Sequence, residues 1–200
     1  MTRRLRALAS RPAAVCGIPL LLASIAGCSS PPPLPINTGA AWATRTLDHG
    51  QVRLSVPSDW NVGEAWQQAS SFSDLLGSFS NQLLSSPCTE GPASISCGPP
   101  LQDLQPGAIL VEIWENGAPN WSLDTQPGTA TTVSGFPARL TDESGSTGSC
   151  SGLGADRSRS ESIPFPSAPD NWIEIAICSR SVADAVGARI MASVAVTLPE

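Results

Sequence analysis

The chain has no lysine, no tyrosine and a single histidine, His49, among 200 residues. Proton transfer and nucleophilic attack need groups of matched pKa within reach of one atom, and these absences leave carboxylates, serines and cysteines to supply them. All eleven cationic residues are arginines, and four of them (Arg3, Arg4, Arg6, Arg11) crowd the start of the chain. Beyond residue 27, seven arginines face seventeen acids, a formal charge of −10. No basic stripe for nucleic acid or anionic headgroups remains. A Cys-x-x-Cys pair is missing too, which together with the lone histidine leaves a zinc site without ligands. The sequence shows no phosphate loop, dinucleotide fingerprint or calcium loop, so no cofactor is expected. The only long apolar run, residues 12–27, is sixteen residues, short of the about 20 needed to span a bilayer, and it contains Pro12 and Pro19.

What is present begins with that run. A basic n-region followed by an h-region holding Leu20, Leu21, Leu22 and Ile25 reads as an export signal. It ends in Leu22-Ala23-Ser24-Ile25-Ala26-Gly27-Cys28, which resembles the lipobox of bacterial lipoproteins: an aliphatic residue, two small ones, then cysteine. The resemblance implies cleavage before Cys28, a diacylglyceryl group on its sulfur with palmitate among the acyl chains, and attachment to the outer side of the cell membrane, and it leaves open whether the new amino terminus is acylated. Thr2-Arg3-Arg4 hints at twin-arginine export, but Arg6 and Ala7 stand where that signal carries bulky apolar residues, which favours the general secretory route. Basic content made only of arginine, with abundant Ala, Pro and Gly, is similar to that of proteins from GC-rich actinobacteria.

Three segments follow: a signal over 1–27, a lipidated cysteine with a proline-rich tether over 28–40, and one domain over 41–200. At about 3.1 Å per residue the tether reaches about 35 Å. With Cys16 in the signal and Cys28 under lipid, Cys88, Cys97, Cys150 and Cys178 remain, and an exported chain makes them a disulfide framework. Of three connectivities, the expected one joins neighbours, Cys88–Cys97 and Cys150–Cys178, worth about 2.7 and 3.6 kcal/mol by loop entropy.

Within the domain, residues 42–47 and 51–56 flank Asp48-His49-Gly50 as a hairpin, with Val52, Leu54 and Val56 on one face. Residues 71–84 carry Phe72, Leu75, Leu76, Phe79, Leu83 and Leu84 at helical spacing behind Ser71 as a cap. Residues 86–107 form a stapled loop, 108–115 the strongest strand, 131–140 another strand, and 143–156 a Gly/Ser-rich loop pinned by Cys150. Residues 157–163 and 171–179 alternate as an antiparallel pair, and Val182, Val186, Ile190 and Val194 stripe a final helix capped by Ser181. The expected class is α+β, an antiparallel sheet with helices packed on one face.

That order resembles the PsbP-like fold of a photosystem II extrinsic subunit and of mycobacterial lipoproteins. The matching residues are Val56-Pro57-Ser58-Asp59-Trp60, Val133-Ser134-Gly135-Phe136-Pro137-Ala138 and Trp172-Ile173-Glu174-Ile175. The resemblance implies a noncatalytic accessory or binding role and transfers no functional residue.

Candidate sites each have an ordinary explanation. Gly148-Ser149-Cys150-Ser151-Gly152 has nucleophile-elbow spacing, but a disulfide cysteine in a loop accounts for it. His49 in a turn is an exposed polar residue. Glu112 beside Trp114, and Glu174 beside Trp172, could act as general acids or line a sugar-binding surface. The simpler expectation is the outer face of half-buried strands, with Arg157 and Arg159 pairing Glu174. Trp60, Trp66, Trp114 and Trp172 are expected in the core, and Trp42 and Trp121 beside loops. The leading expectation is therefore a lipid-anchored envelope protein with a noncatalytic binding or accessory role and an unidentified envelope ligand or partner. The rivals are an envelope hydrolase using Glu112 and Glu174, and a passive surface protein.

Overall fold

The computed structural model describes residues 32–35, 39–66, 73–85, 88–90, 95–97, 100–168, 170–182 and 184–198. The signal and Cys28 lie outside these, as do the side chains of His49, Cys88 and Cys97. The described strands are β1 (Trp42–Leu47), β2 (Val52–Pro57), β3 (Asn61–Gly63), β4 (Ser73–Ser80), β5 (Cys88–Glu90), β6 (Ile95–Cys97), β7 (Ile109–Gly117), β8 (Thr129–Val133), β9 (Phe136–Ser144), β10 (Arg157–Pro164) and β11 (Asn171–Ser179). Helix α1 (Asp184–Ala192) and the short β12 (Ala195–Val196) complete the order.

Every pairing is antiparallel. A seven-stranded sheet has the order β3-β4-β7-β11-β10-β9-β8, and a three-stranded sheet the order β1-β2-β12. The main core lies between them. Val52, Leu54 and Val56 of the small sheet meet Phe79, Val111, Ile113, Ile163, Ile173, Ile175 and Ile177 of the large one, and Ile190 and Met191 of α1 close the gap. A second, smaller core of Leu101, Leu104, Leu110, Leu153 and the Cys150–Cys178 disulfide sits on the other face of the large sheet.

The expected α+β, PsbP-like arrangement of helices on a sheet is overturned: the fold is built mainly from two antiparallel sheets, and the described residues contain one α-helix. The expected helix over 71–84 is the main cause. Residues Ser73–Ser80 are instead strand β4, whose register shifts between Leu75 and Gly77. A bulge inserts one residue, so Leu75 faces outward opposite Trp114 while Phe79, four positions on, faces the main core opposite Val111. The added residue turns a period of two into a spacing that imitates a helix. Ser73, Gly77, Ser78 and Ser80 are poor helix formers that the extended chain accommodates.

Residues 131–140 are likewise not one strand but the β8–β9 hairpin. Ser134 and Gly135 take φ of 52° and 90° between Val133 and Phe136, the two left-handed positions that a tight two-residue hairpin turn requires. The first hairpin forms as expected, from Trp42↔Pro57 to Leu47↔Val52. So do the β10–β11 pair and the final helix, shorter than expected, where Ile190 is fully buried and Val186 packs on the core, with Val182 and Val194 packing there from just outside the helix. Ser181 does not cap that helix. It has φ 55° three residues ahead of Asp184, and its N–H donates to Asp156.

Candidate functional site

Strand β10 alternates Arg157, Arg159, Glu161 and Ile163 on one face, with Ser158, Ser160 and Ser162 on the other. Ile163 belongs to the main core, so Arg159 and Glu161 point inward with it and are 9% and 4% exposed. They are not buried by the large sheet's apolar centre, because β10 lies near its edge. Over them pass the small residues Ala188 and Ala192 of α1, with Met191, and beside them stands the β8–β9 hairpin. Small side chains on the helix leave a groove of about 540 Å³, lined also by Thr131, Val133, Ser134, Leu140 and Val194. A space of that size, with apolar walls and a few fixed polar groups, is what small-molecule sites commonly offer.

The two charged floor residues differ in partners. Arg159 donates to Asp142 from Nη2 at 2.6 Å and from Nε at 3.2 Å, and Arg157 donates to the same carboxylate at 2.7 and 2.8 Å. The Arg157 hydrogen bonds, with those of Arg159, outweigh partial burial and hold the Asp142 carboxyl at about 2. Glu161 has no hydrogen bond or ion pair among the described residues, and burial pushes its pKa up. The groove therefore holds an arginine paired with Asp142 and a carboxyl without a partner among the described residues, its pKa raised by burial.

Glu112 and Glu174 are brought together on the outer face of the large sheet. Glu112 stands opposite Ala176, two residues along β11 from Glu174. Glu174 is half-buried and accepts Ser149 Oγ at 2.8 Å and Asn116 Nδ2 at 3.5 Å. The expected pairing with Arg157 and Arg159 is corrected: Glu174 faces the β11–β7 side, its β10 neighbour is Ser162, and both arginines serve Asp142 on the opposite face. Glu112 is also not on a half-open surface, being 2% exposed. Burial raises its pKa to about 7, the Trp114 indole N–H at 3.4 Å opposes that, and the nearby Glu174 adds to it. Its Oε1 has no partner, and neither has Ser78 Oγ directly opposite on β4.

The tryptophans divide differently from expectation. Trp60 is buried, whereas Trp66, Trp114 and Trp172 are half-buried on or beside the outer face. Trp66 meets Trp114 edge-to-face at 5.7 Å, and Trp121 stacks flat on Trp172 at 4.4 Å. Arg189 lies 3.8 Å over the ring of Trp42, which packs against the main core. Cys150 is joined to Cys178, which settles the role of the Gly148–Gly152 stretch as a disulfide loop. Cys88 and Cys97 face each other across the β5–β6 ribbon by backbone register. Among the described residues no three of His, Cys, Asp and Glu converge as metal ligands, and no helix is long and apolar enough to cross a membrane.

The sequence reading missed Arg159, Glu161 and Asp142 as a group. The available signal was their phase: Arg159 and Glu161 alternate in step with Ile163, which marks them as inward-facing. The chain matches no protein-family model and no curated protein.

Proposed function

We propose that this is a lipid-anchored protein of the cell envelope, held on the extracytoplasmic face through Cys28, that binds a ligand without transforming it. The observation that carries the binding reading is the groove between α1 and the β8–β10 edge, with the unpartnered, buried Glu161 in its floor. The anchor reading rests on Ile25-Ala26-Gly27-Cys28, and the Cys150–Cys178 disulfide accords with an oxidising compartment.

The groove suits recognition better than chemistry. Among the described residues its carboxyl has no hydrogen bond to a second acid, base or nucleophile, and its arginine is already occupied by Asp142. The other carboxylate pair has the raised pKa of a general acid in Glu112, but that side chain is sealed under its own sheet face and offers no atom to a substrate. An amphipathic molecule fits the groove, its apolar part on Val133, Leu140 and Met191 and a hydrogen-bonding group on Glu161.

Intact mass of the native protein extracted in detergent tests the anchor: cleavage before Cys28 plus acyl groups is expected, and a free thiol on a cleaved Cys28 refutes it. Ala188→Trp fills the groove and tests the binding site. A molecule that co-purifies with the native protein in native mass spectrometry should be absent from the folded variant. Turnover of an envelope glycan or ester by the wild type, lost in Glu112→Gln or Glu174→Gln, would replace binding with catalysis.

A further inference from the structure

The proline-rich segment is fastened to the domain well before residue 40. The Leu34 N–H donates to the Pro106 carbonyl at 2.7 Å, and the Leu34 side chain packs on the second core. The adjoining Gly107 has φ 85°, and a Cβ there would run into the backbone of Leu34. Glycine is therefore required for its conformation and for the close approach. Gly107 is itself held on both sides: its N–H donates to Arg180 at 2.7 Å and its carbonyl accepts Asn81 Nδ2 at 2.8 Å. Leu34 thus sits in a built seat at the end of the large sheet where β7 begins and β11 ends, the end marked by Ile109↔Ser179.

Six peptide steps separate Leu34 from Cys28, and an extended chain of that length spans at most about 20 Å. We propose that, in the lipid-anchored protein, the Leu34 seat acts as a short leash that turns the Gly107–Arg180 end of the domain toward the bilayer. The inference rests on the anchor at Cys28. The opposite end, with Asn171↔Gly117, the Trp121–Trp172 stack and the Ser134-Gly135 turn, then projects outward. Strands of nine residues such as β7 and β11 place that end about 30 Å further out. The bilayer surface is the neighbour of the seat end, while envelope partners meet the far end.

The test uses the acylated protein in nanodiscs of phosphatidylcholine and phosphatidylglycerol carrying a nitroxide headgroup lipid. In amide NMR spectra, Asp103, Gln105 and Gly154 should lose intensity while Asn120 and Gly135 keep it. Leu34→Asp, accepted only where the other amide shifts match the wild type, should erase that contrast. The seat has its own readout: slow hydrogen exchange at the residue-34 amide in wild type, lost in Leu34→Asp and in Gly107→Ala. Equal intensity loss at the two ends of an acylated protein overturns the orientation. An unacylated Cys28 in the intact mass overturns the anchor and the orientation together, and a protected residue-34 amide in that same sample would show the seat surviving alone.

Discussion

The two faces of the large sheet are both buried at their centres, yet they are buried by different means. The inner face presents Phe79, Val111, Ile113, Ile173, Ile175 and Ile177 to the small sheet and α1 in one apolar cluster. The outer face presents Ser78, Glu112, Trp114 and Glu174, and there Ser78 Oγ and Glu112 Oε1 face each other across β4 and β7 with no partner for either. A buried polar atom left unpaired costs about 1–3 kcal/mol. Both faces therefore supply stability, the outer one through its smaller core of Leu101, Leu104, Leu110 and Leu153, but the outer face loses some of it at Ser78 and Glu112. A buried strand face need not be an apolar one, and charge in a strand need not mark its solvent side.

The inner face should give the largest effect when broken. Phe79→Ala removes a side chain at 1% exposure, and a loss of about 3–5 kcal/mol is expected in urea denaturation. A loss under about 1 kcal/mol is what an exposed position gives, and would show that β4 does not pack as described.

Glu112→Gln sharpens the contrast from the outer side. Burial raises this carboxyl from 4.5 to about 7, so between those values the folded protein holds a proton that the unfolded chain releases. Its contribution to stability therefore falls as pH rises through that window and is flat above it. At 1.36 kcal/mol per pH unit the full swing is about 3 kcal/mol. The variant should match wild type near pH 4 and exceed it at pH 8. Urea midpoints of both proteins across that range decide it, because Glu115 and Glu161, also raised by burial, cancel in the difference. A variant less stable than wild type at pH 8 would mean that Glu112 is satisfied after all.

The smallest effect belongs to Asp142, at the inner face's edge. Its carboxyl is lowered from 3.8 to about 2, chiefly by Arg157, so the stability it adds is present above pH 3.8 and lost as pH falls through 2. The group is partly exposed and screened, and Asp142→Asn should cost about 1 kcal/mol at pH 7. The cost should shrink in 1 M salt. Unchanged cost at high salt would show that burial of Arg159, and not the surface pair with Arg157, dominates.

Much of the inner face was legible because alternation is a local property. Val52, Leu54 and Val56, and Ile173, Ile175 and Ile177, announce their shared face without reference to any partner strand. Strand β4 was not legible. Its bulge at Leu75–Gly77 is registered only against β7, and without β7 the same apolar spacing fits a helix. The groove was half legible: the phase of Arg159 and Glu161 with Ile163 is in the chain, but the space above them comes from Ala188 and Ala192 on a helix twenty-seven or more positions away.

By itself the sequence determined the export and lipobox pattern, the acidic domain, the first hairpin, the β10–β11 pair and the final helix, since each depends on residues close in the chain or on composition, and it favoured joining Cys150 to Cys178 among three connectivities. Only the tertiary structure decided which strand faces are dry, where Glu112 loses its solvent, how α1 roofs a groove, and that Leu34 is seated against Gly107. Those outcomes depend on which elements meet. Contacts such as Leu34 with Pro106, or Arg159 with α1, join segments whose sequences carry no mark of each other, and burial energy is fixed by the meeting and not by either segment alone.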